Sequence, residues 1–304
     1  MHLKNDLYDV YGNVLINKGQ EITDTVINSL IKKGEKLPKK LISIKGTPFL
    51  KDLDFVFGDS RYAPIFCSSS VRKSITERLE ELKFEEPLVL ELLQMKDSQI
   101  DTYKHVQIIA CLAIDIISLL DKPTFDPLLA AHVSFTHDIG KTRIEQDLIN
   151  KYAALTDSEY EIIKTHPTIG YLLLNYYCGW EGKKYCWTAY EHHEKLDGTG
   201  YPRGIMKIDP YAQLITPIDI FDALISDRPY RKTAFTPRLA VDFLVDGVEN
   251  GQLNKTMVYT LINCLRKHKM YPLSKLRVAK EKREELPLES VYGIRTASNW
   301  LKKD

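Results

Sequence analysis

EHHEKLDGTGYP, residues 191–202, sets two adjacent histidines between two glutamates and then turns sharply through Asp197, Gly198, Gly200 and Pro202. Glycine, aspartate and proline in such density end a helix. Histidine is scarce, 8 in 304 residues, so a doubled histidine at a helix end marks a site where imidazoles are wanted together. Both rings can face one pocket, and neutral imidazole is a common metal ligand.

Other stretches extend the pattern. In THDIGK (136–141), His137 and Asp138 are about 100° apart on a helix wheel, close enough to share one ion or for the carboxylate to bridge two. Gly140 lets the chain leave the helix. Alone, the pair reads equally as a cap or a surface ion pair. Asp101 and His105 are four residues apart and share a helix face. His105 heads the apolar stripe Ile108, Ile109, Leu112, Ile116, as a hydrogen-bonded core residue or a ligand. His166 precedes Pro167, which places it at a helix junction. Asp219 and Asp222 lie three apart among Ile215, Ile218, Phe221 and Leu224; they are exposed acids on an amphipathic helix, or buried acids compensated by a cation or donors. Five histidines and at least two aspartates from several helices suit a centre of two transition metals. His132, about 140° round the helix from His137, is read as structural.

Composition narrows the class. Lys and Arg number 42 against 41 Asp and Glu, which excludes the dominant basic face of a nucleic-acid polymer binder. Five cysteines without a CxxC pair suit a reducing compartment and buried thiols. The N-terminus lacks a signal-peptide stretch, and IIACLAIDIISLL (108–120) is too short for a membrane span. A cytoplasmic protein without membrane attachment is expected.

Residues 1–70 read as a small α+β accessory module: two strands joined at Tyr11-Gly12-Asn13, a helix over 22–34 stopped by Gly34, and a strand in LPKKLISIKG. The irregular residues 51–70 read as a linker. Residues 71–96 are expected as a connecting helix broken or kinked near Pro87, and 97–304 as a helical catalytic domain with a charged C-terminal tail. Helices are expected at 98–120, in DPLLAAHVSFTHD, and at 183–194, 212–227, 236–249 and 254–268, with a Thr156–Glu159 capping box.

HDIGK, HPTIG, HHEKLDGTGYP and DIFDALISDRPYR follow the order and spacing of the HD-GYP family, a subgroup of the HD-superfamily metal-dependent phosphohydrolases, which this chain resembles over roughly residues 97–270. The resemblance implies a mainly α fold: an HD-type all-helical metal-binding domain behind the α+β module. It implies two or three metal ions, iron or manganese. His105, His137, Asp138 and Asp219 match the ligands of one ion, and His166, His192 and His193 those of the second, with Asp138 shared. Asp101 stands where some members carry a glutamate that helps hold a third ion. Lys141 matches the lysine beside the scissile phosphate, and together with Asp138 it is the catalytic pair. Arg228 and Arg231 match substrate-gripping basic residues; Asp222 and Tyr201 join them as substrate contacts. Glu145 departs from a common proline, and QIDTYKH from the usual lead-in to the first histidine.

The implied activity is hydrolysis of cyclic di-GMP to the linear dinucleotide, GMP or both by a metal-activated hydroxide, with Lys141 neutralising the phosphoryl oxygens. The resemblance also implies docking of diguanylate cyclase (GGDEF) domains through the Gly-Tyr-Pro loop; a homodimer is a further expectation. Two other readings stay open: a cyclic di-GMP receptor with little turnover, and a phosphohydrolase for another nucleotide.

Overall fold

In a computed structural model, residues 2–120, 125–151, 153, 155–227 and 234–266 are described. Two short antiparallel pairs are the sheets found among them. Strands β1 (Leu7–Tyr8) and β2 (Val14–Ile16) form the expected hairpin, closed by Gly12 at φ 84° and by Asp9 Oδ1, which accepts from the amides of Tyr11 and Asn13. Helix α1 (Asp24–Gly34) follows, then β3 (Leu41–Ser43). Gly34 is not a left-handed stop: a Cβ there would lie 1.7 Å from the Tyr176 carbonyl oxygen, so it is a close-contact residue inside the helix end.

Residues 51–70 are not a linker. They fold into helices α2 (Leu53–Phe57) and α3 (Ala63–Phe66) with a 3-10 turn, Ser60–Tyr62, between. Leu53, Val56, Tyr62, Ile65 and Phe66 are buried, and apolar burial of that extent ties the segment down. The connecting helix is also two helices. α4 (Ser69–Glu80) ends, strand β4 (Lys83–Glu85) pairs with β3, and α5 (Glu86–Ser98) begins with Pro87 in its first turn. Proline there starts a helix, since its missing N–H has no intrahelical acceptor to lose.

The central element is α6 (Ile100–Ser118), buried almost all round from Thr102 to Ile117. α7 (Pro127–Thr136), α8 (Gln146–Ile149), α9 (Asp157–Ile163), α10 (His166–Cys178), α11 (Lys183–Glu191), α12 (Pro210–Ile225), α13 (Pro237–Glu249) and α14 (Lys255–Leu265) complete the body. Local chemistry starts several of these. Thr156 and Glu159 make the reciprocal capping box of α9, and Asp209, Thr236 and Asn254 cap α12, α13 and α14, each satisfying amides the first turn leaves unpaired. One hydrophobic cluster runs from Leu3 to Cys264. Cys111, Cys178, Cys186 and Cys264 are buried free thiols. No described helix is long and apolar enough to cross a membrane.

Candidate metal centre

Helix ends deliver the histidines. His137 caps the C-terminus of α7, His166 opens α10, and His192 caps α11 with His193 next in the chain. His137 Nδ1 lies 2.7 Å from the Ser134 carbonyl, His166 Nδ1 2.7 Å from that of Ile163, and His192 Nδ1 2.9 Å from that of Ala189. A carbonyl only accepts, so each Nδ1 carries the hydrogen and each neutral ring presents an Nε2 lone pair. His105, on α6, has its Nδ1 2.6 Å from Asp222 Oδ2, which commits it in the same way.

Those lone pairs converge. His166 Nε2 is 3.2 Å from His192 Nε2 and 3.1 Å from His193 Nε2. Acceptors facing one another at that distance repel unless a cation or proton lies among them. Donors about 2.1 Å from one ion at right angles are about 3 Å apart, so the spacing fits a metal. Asp138 stands between two groups. Its Oδ1 is 3.3 Å from His166 Nε2 and 3.7 Å from His192 Nε2; its Oδ2 is 3.6 Å from His137 Nε2 and 3.8 Å from His105 Nε2. Asp219 Oδ1 lies 3.1 Å from His105 Nε2. The ligand atoms of His166, His192 and His193 fall within 4.8 Å of one another, as do those of His105, His137 and Asp138. His105 Nε2, His137 Nε2 and Asp138 Oδ1 are buried and make no hydrogen bond. Buried polar atoms are rarely left so, and a pair of bound cations would satisfy all three.

Electrostatics agree. Burial drives His192 down to about 3, and burial with its neighbouring rings holds His193 low; His137 is lowered by burial too. These rings are neutral and ready to bind metal. Burial opposes ionisation of Asp138, but Lys141 and the surrounding histidines outweigh it and hold the carboxyl well below its ordinary range. Burial also disfavours charge on His105, yet Asp219 and Asp222 raise it to about 9, so there a cation would take the place of the Nε2 proton.

All the expected site residues except Arg228 and Arg231 lie among the described residues. Lys141 is buried, its Nζ 2.5 Å from Asp138 Oδ2. Asp222 is buried against His105, Tyr62 and Arg61. Asp101 is exposed one turn before His105, on a cavity of about 350 Å³ shared with Arg61, Lys104 and Asp222. Tyr201 stacks on His193, ring centroids 4.7 Å apart. Arg228 and Arg231 lie outside the described residues. His132 sits apart, stacked on Tyr185 at 3.8 Å.

The loop after the histidine pair is held by the glutamates that flank it. Glu194 accepts from the amides of Arg203, Gly204 and Ile205, while Glu191 accepts from the Asp209 amide and binds the Arg203 guanidinium. Gly200 passes so near that a Cβ would meet the Glu194 Cα at 2.4 Å. The flanking glutamates are visible in the sequence; Arg61 and Tyr62, which reach Asp222 from a stretch read as linker, and Asp59, which holds Arg61, carry no such signal.

A family model described as HD domain matches residues 87–255. The chain is 36% identical over 149 residues to the cyclic di-GMP phosphodiesterase PA4108 of Pseudomonas aeruginosa, a match covering 47% of this chain and 35% of that one. It is 31% identical over 174 residues to a cyclic di-GMP phosphodiesterase of Thermotoga maritima, covering 55% and 46%. It is 37% identical over 108 residues to the 3′3′-cGAMP-specific phosphodiesterase 3 of Vibrio cholerae, covering 35% and 23%. In each case the match spans less than half the relative's length.

Proposed function

This chain belongs to the HD domain family, and from that premise we propose that it is a metal-dependent phosphodiesterase hydrolysing cyclic di-GMP to the linear dinucleotide, GMP or both. The observation that carries the reading is the convergence of buried imidazole Nε2 atoms on the two oxygens of Asp138. His105, His137 and Asp219 would hold one ion and His166, His192 and His193 the other, with Asp138 common to both. Iron is the proposed ion and manganese the alternative, since an imidazole and carboxylate set without thiolate suits either. When bound, a pair of such ions would supply Lewis-acid polarisation of the phosphate and lower the pKa of the attacking water.

The chain's own residues do the rest. Lys141, already within reach of Asp138, offsets charge on the phosphoryl oxygens. Arg228 and Arg231 supply donors to phosphate or guanine edges. Tyr201 backs His193. Asp222 serves by holding His105 rather than by touching substrate, and Asp101 is the candidate ligand of a third ion. The Gly-Tyr-Pro loop, Gly200 to Pro202, close to Met206, which is 67% exposed, is the proposed face for diguanylate cyclase (GGDEF) domains, with a homodimer as the assembly and the cytoplasm as the compartment. The likeness to a 3′3′-cGAMP-specific enzyme favours that dinucleotide as a second substrate.

Protein loaded with Mn²⁺ or Fe²⁺ is incubated with cyclic di-GMP or 3′3′-cGAMP and the products are separated. Hydrolysis is expected, and His137→Ala abolishes it while lowering the bound metal. A His137→Ala protein with full turnover refutes the assignment; binding without turnover by the loaded wild type establishes a receptor instead.

A further inference from the structure

We infer that Tyr62 and Arg61, outside the matched residues 87–255, are positioning residues that complete the metal centre through Asp222. The inference rests on the metal reading of the site given above. Asp222 reaches His105 Nδ1 with Oδ2 at 2.6 Å. Its other oxygen accepts from the Tyr62 hydroxyl at 2.8 Å and from Arg61 Nη1 at 3.3 Å. A carboxylate with donors on both oxygens cannot rotate without losing a bond, so the His105 ring is held with Nε2 turned toward Asp138 and Asp219. Such outer partners set the tautomer and orientation of a metal-binding histidine.

The donors are themselves fixed. Tyr62 is fully buried, its ring 6.0 Å from Phe66 and 6.3 Å from Phe221. Arg61 is gripped by Asp59, with Nη2 2.6 Å from Oδ2 and Nε 3.0 Å from each oxygen, and it also donates to Ser226. The Asp59 cap of the turn Ser60–Tyr62 presents consecutive residues to α12: a guanidinium beside the cavity and a phenol in the core. The segment between α2 and α3 is thus the last support of a ligand on α6. Rearranging it would loosen the His105 site while leaving His166, His192 and His193 in place.

The test is isothermal titration of the metal-free chain, residues 1–304, with Mn²⁺, beside thermal melts of the metal-free forms. Tyr62→Phe keeps the ring and removes one donor; Arg61→Met is the second variant. Loss of a direct partner of a liganding histidine weakens metal binding about 10- to 100-fold, so Asp222→Asn is expected there and Tyr62→Phe at about three- to tenfold. The loss should fall on one of two sites. In the Asp222→Asn background Tyr62→Phe should cost nothing more, because the two act along one path; a general packing defect would lower affinity equally in both backgrounds. Wild-type Mn²⁺ affinity in both Tyr62→Phe and Arg61→Met, with His105→Ala impaired, overturns the inference alone. Wild-type affinity in His105→Ala overturns the metal reading beneath it.

Discussion

Gly140→Ala adds one methyl group at the junction on which the centre depends. A Cβ at that position would lie 2.0 Å from the backbone oxygen of His166 and 2.7 Å from the Gly170 amide nitrogen. Both obstacles are backbone, so no side chain can swing aside. Ordinary contact begins at 3.4 Å, and the turn Ile139–Arg143 must therefore retreat from α10 by about 1.4 Å, which a close-packed interior resists. Asp138 begins that turn, and its 3.3 Å approach to His166 opens with it. Overpacking of this kind costs about 1–3 kcal/mol. A misplacement of about 1 Å at a reacting centre costs on the order of 10²-fold in rate. Expected, then, are a lower denaturation midpoint, Mn²⁺ affinity reduced at least about tenfold, by the measure of a lost support, and turnover near 1% of wild type. Gly46→Ala is the control, because nothing lies within 4 Å of its Cβ. If Gly140→Ala melts and binds Mn²⁺ like the wild type, the close approach of turn and helix does not set the ligand geometry, and the argument from Gly140 to Asp138 is wrong.

Two stability predictions lie away from the ligands. His132 is buried, stacked on Tyr185 and tilted against Phe84, with neither ring nitrogen hydrogen-bonded, and burial, opposed in part by Glu85 3.9 Å away, lowers its pKa below 6.5. Its contribution is complete above 6.5 and is lost as pH falls from there toward its folded value, at no more than about 1.4 kcal/mol per pH unit. His132→Phe should flatten the fall in stability on acidification below pH 6.5, measured by urea unfolding at pH 7.5 and pH 5; an unchanged slope contradicts this. Tyr177 donates to the fully buried Glu91 at 2.6 Å and accepts from the Val10 amide at 2.7 Å. Tyr177→Phe leaves both short of a partner and should cost about 1–3 kcal/mol with Mn²⁺ affinity unchanged; equal unfolding midpoints would show that the hairpin is held by other contacts.

Long helices were legible because their signals are local. The capping box at Thr156 and Glu159 and the buried stripe of α6 recur in the structure near where the sequence puts them. Failures came where one residue type serves two ends. Pro87 reads as a break or kink within one helix; the break is there, but a strand pairing with β3 fills it and the proline opens α5. α1 does end at Gly34, but not through a left-handed cap: the missing side chain is used against Tyr176. Residues 51–66 carry Leu53, Val56, Tyr62, Ile65 and Phe66 among turn formers; helices of 5 and 4 residues are too short to display a period, and their burial follows from what α6 and α12 place opposite them.

The site divides along the same line. Three of its histidines orient themselves, each giving its Nδ1 hydrogen to the carbonyl three residues earlier. A helix end supplies that acceptor without help from the rest of the fold, which is why histidines at helix ends could be grouped from the sequence. His105 sits inside a helix, where its own turn offers no free carbonyl, so its hydrogen must go to another element. Asp219 and Asp222, three apart on α12, are equivalent as spacing; only packing assigns one to Nε2 and the other to Nδ1 of the same ring. Asp222, the partner of Nδ1, is held by Tyr62 and Arg61, about 160 positions before it. A ligand that cannot orient itself locally needs distant support, and that support can lie in a part of the chain that its own motif does not mark.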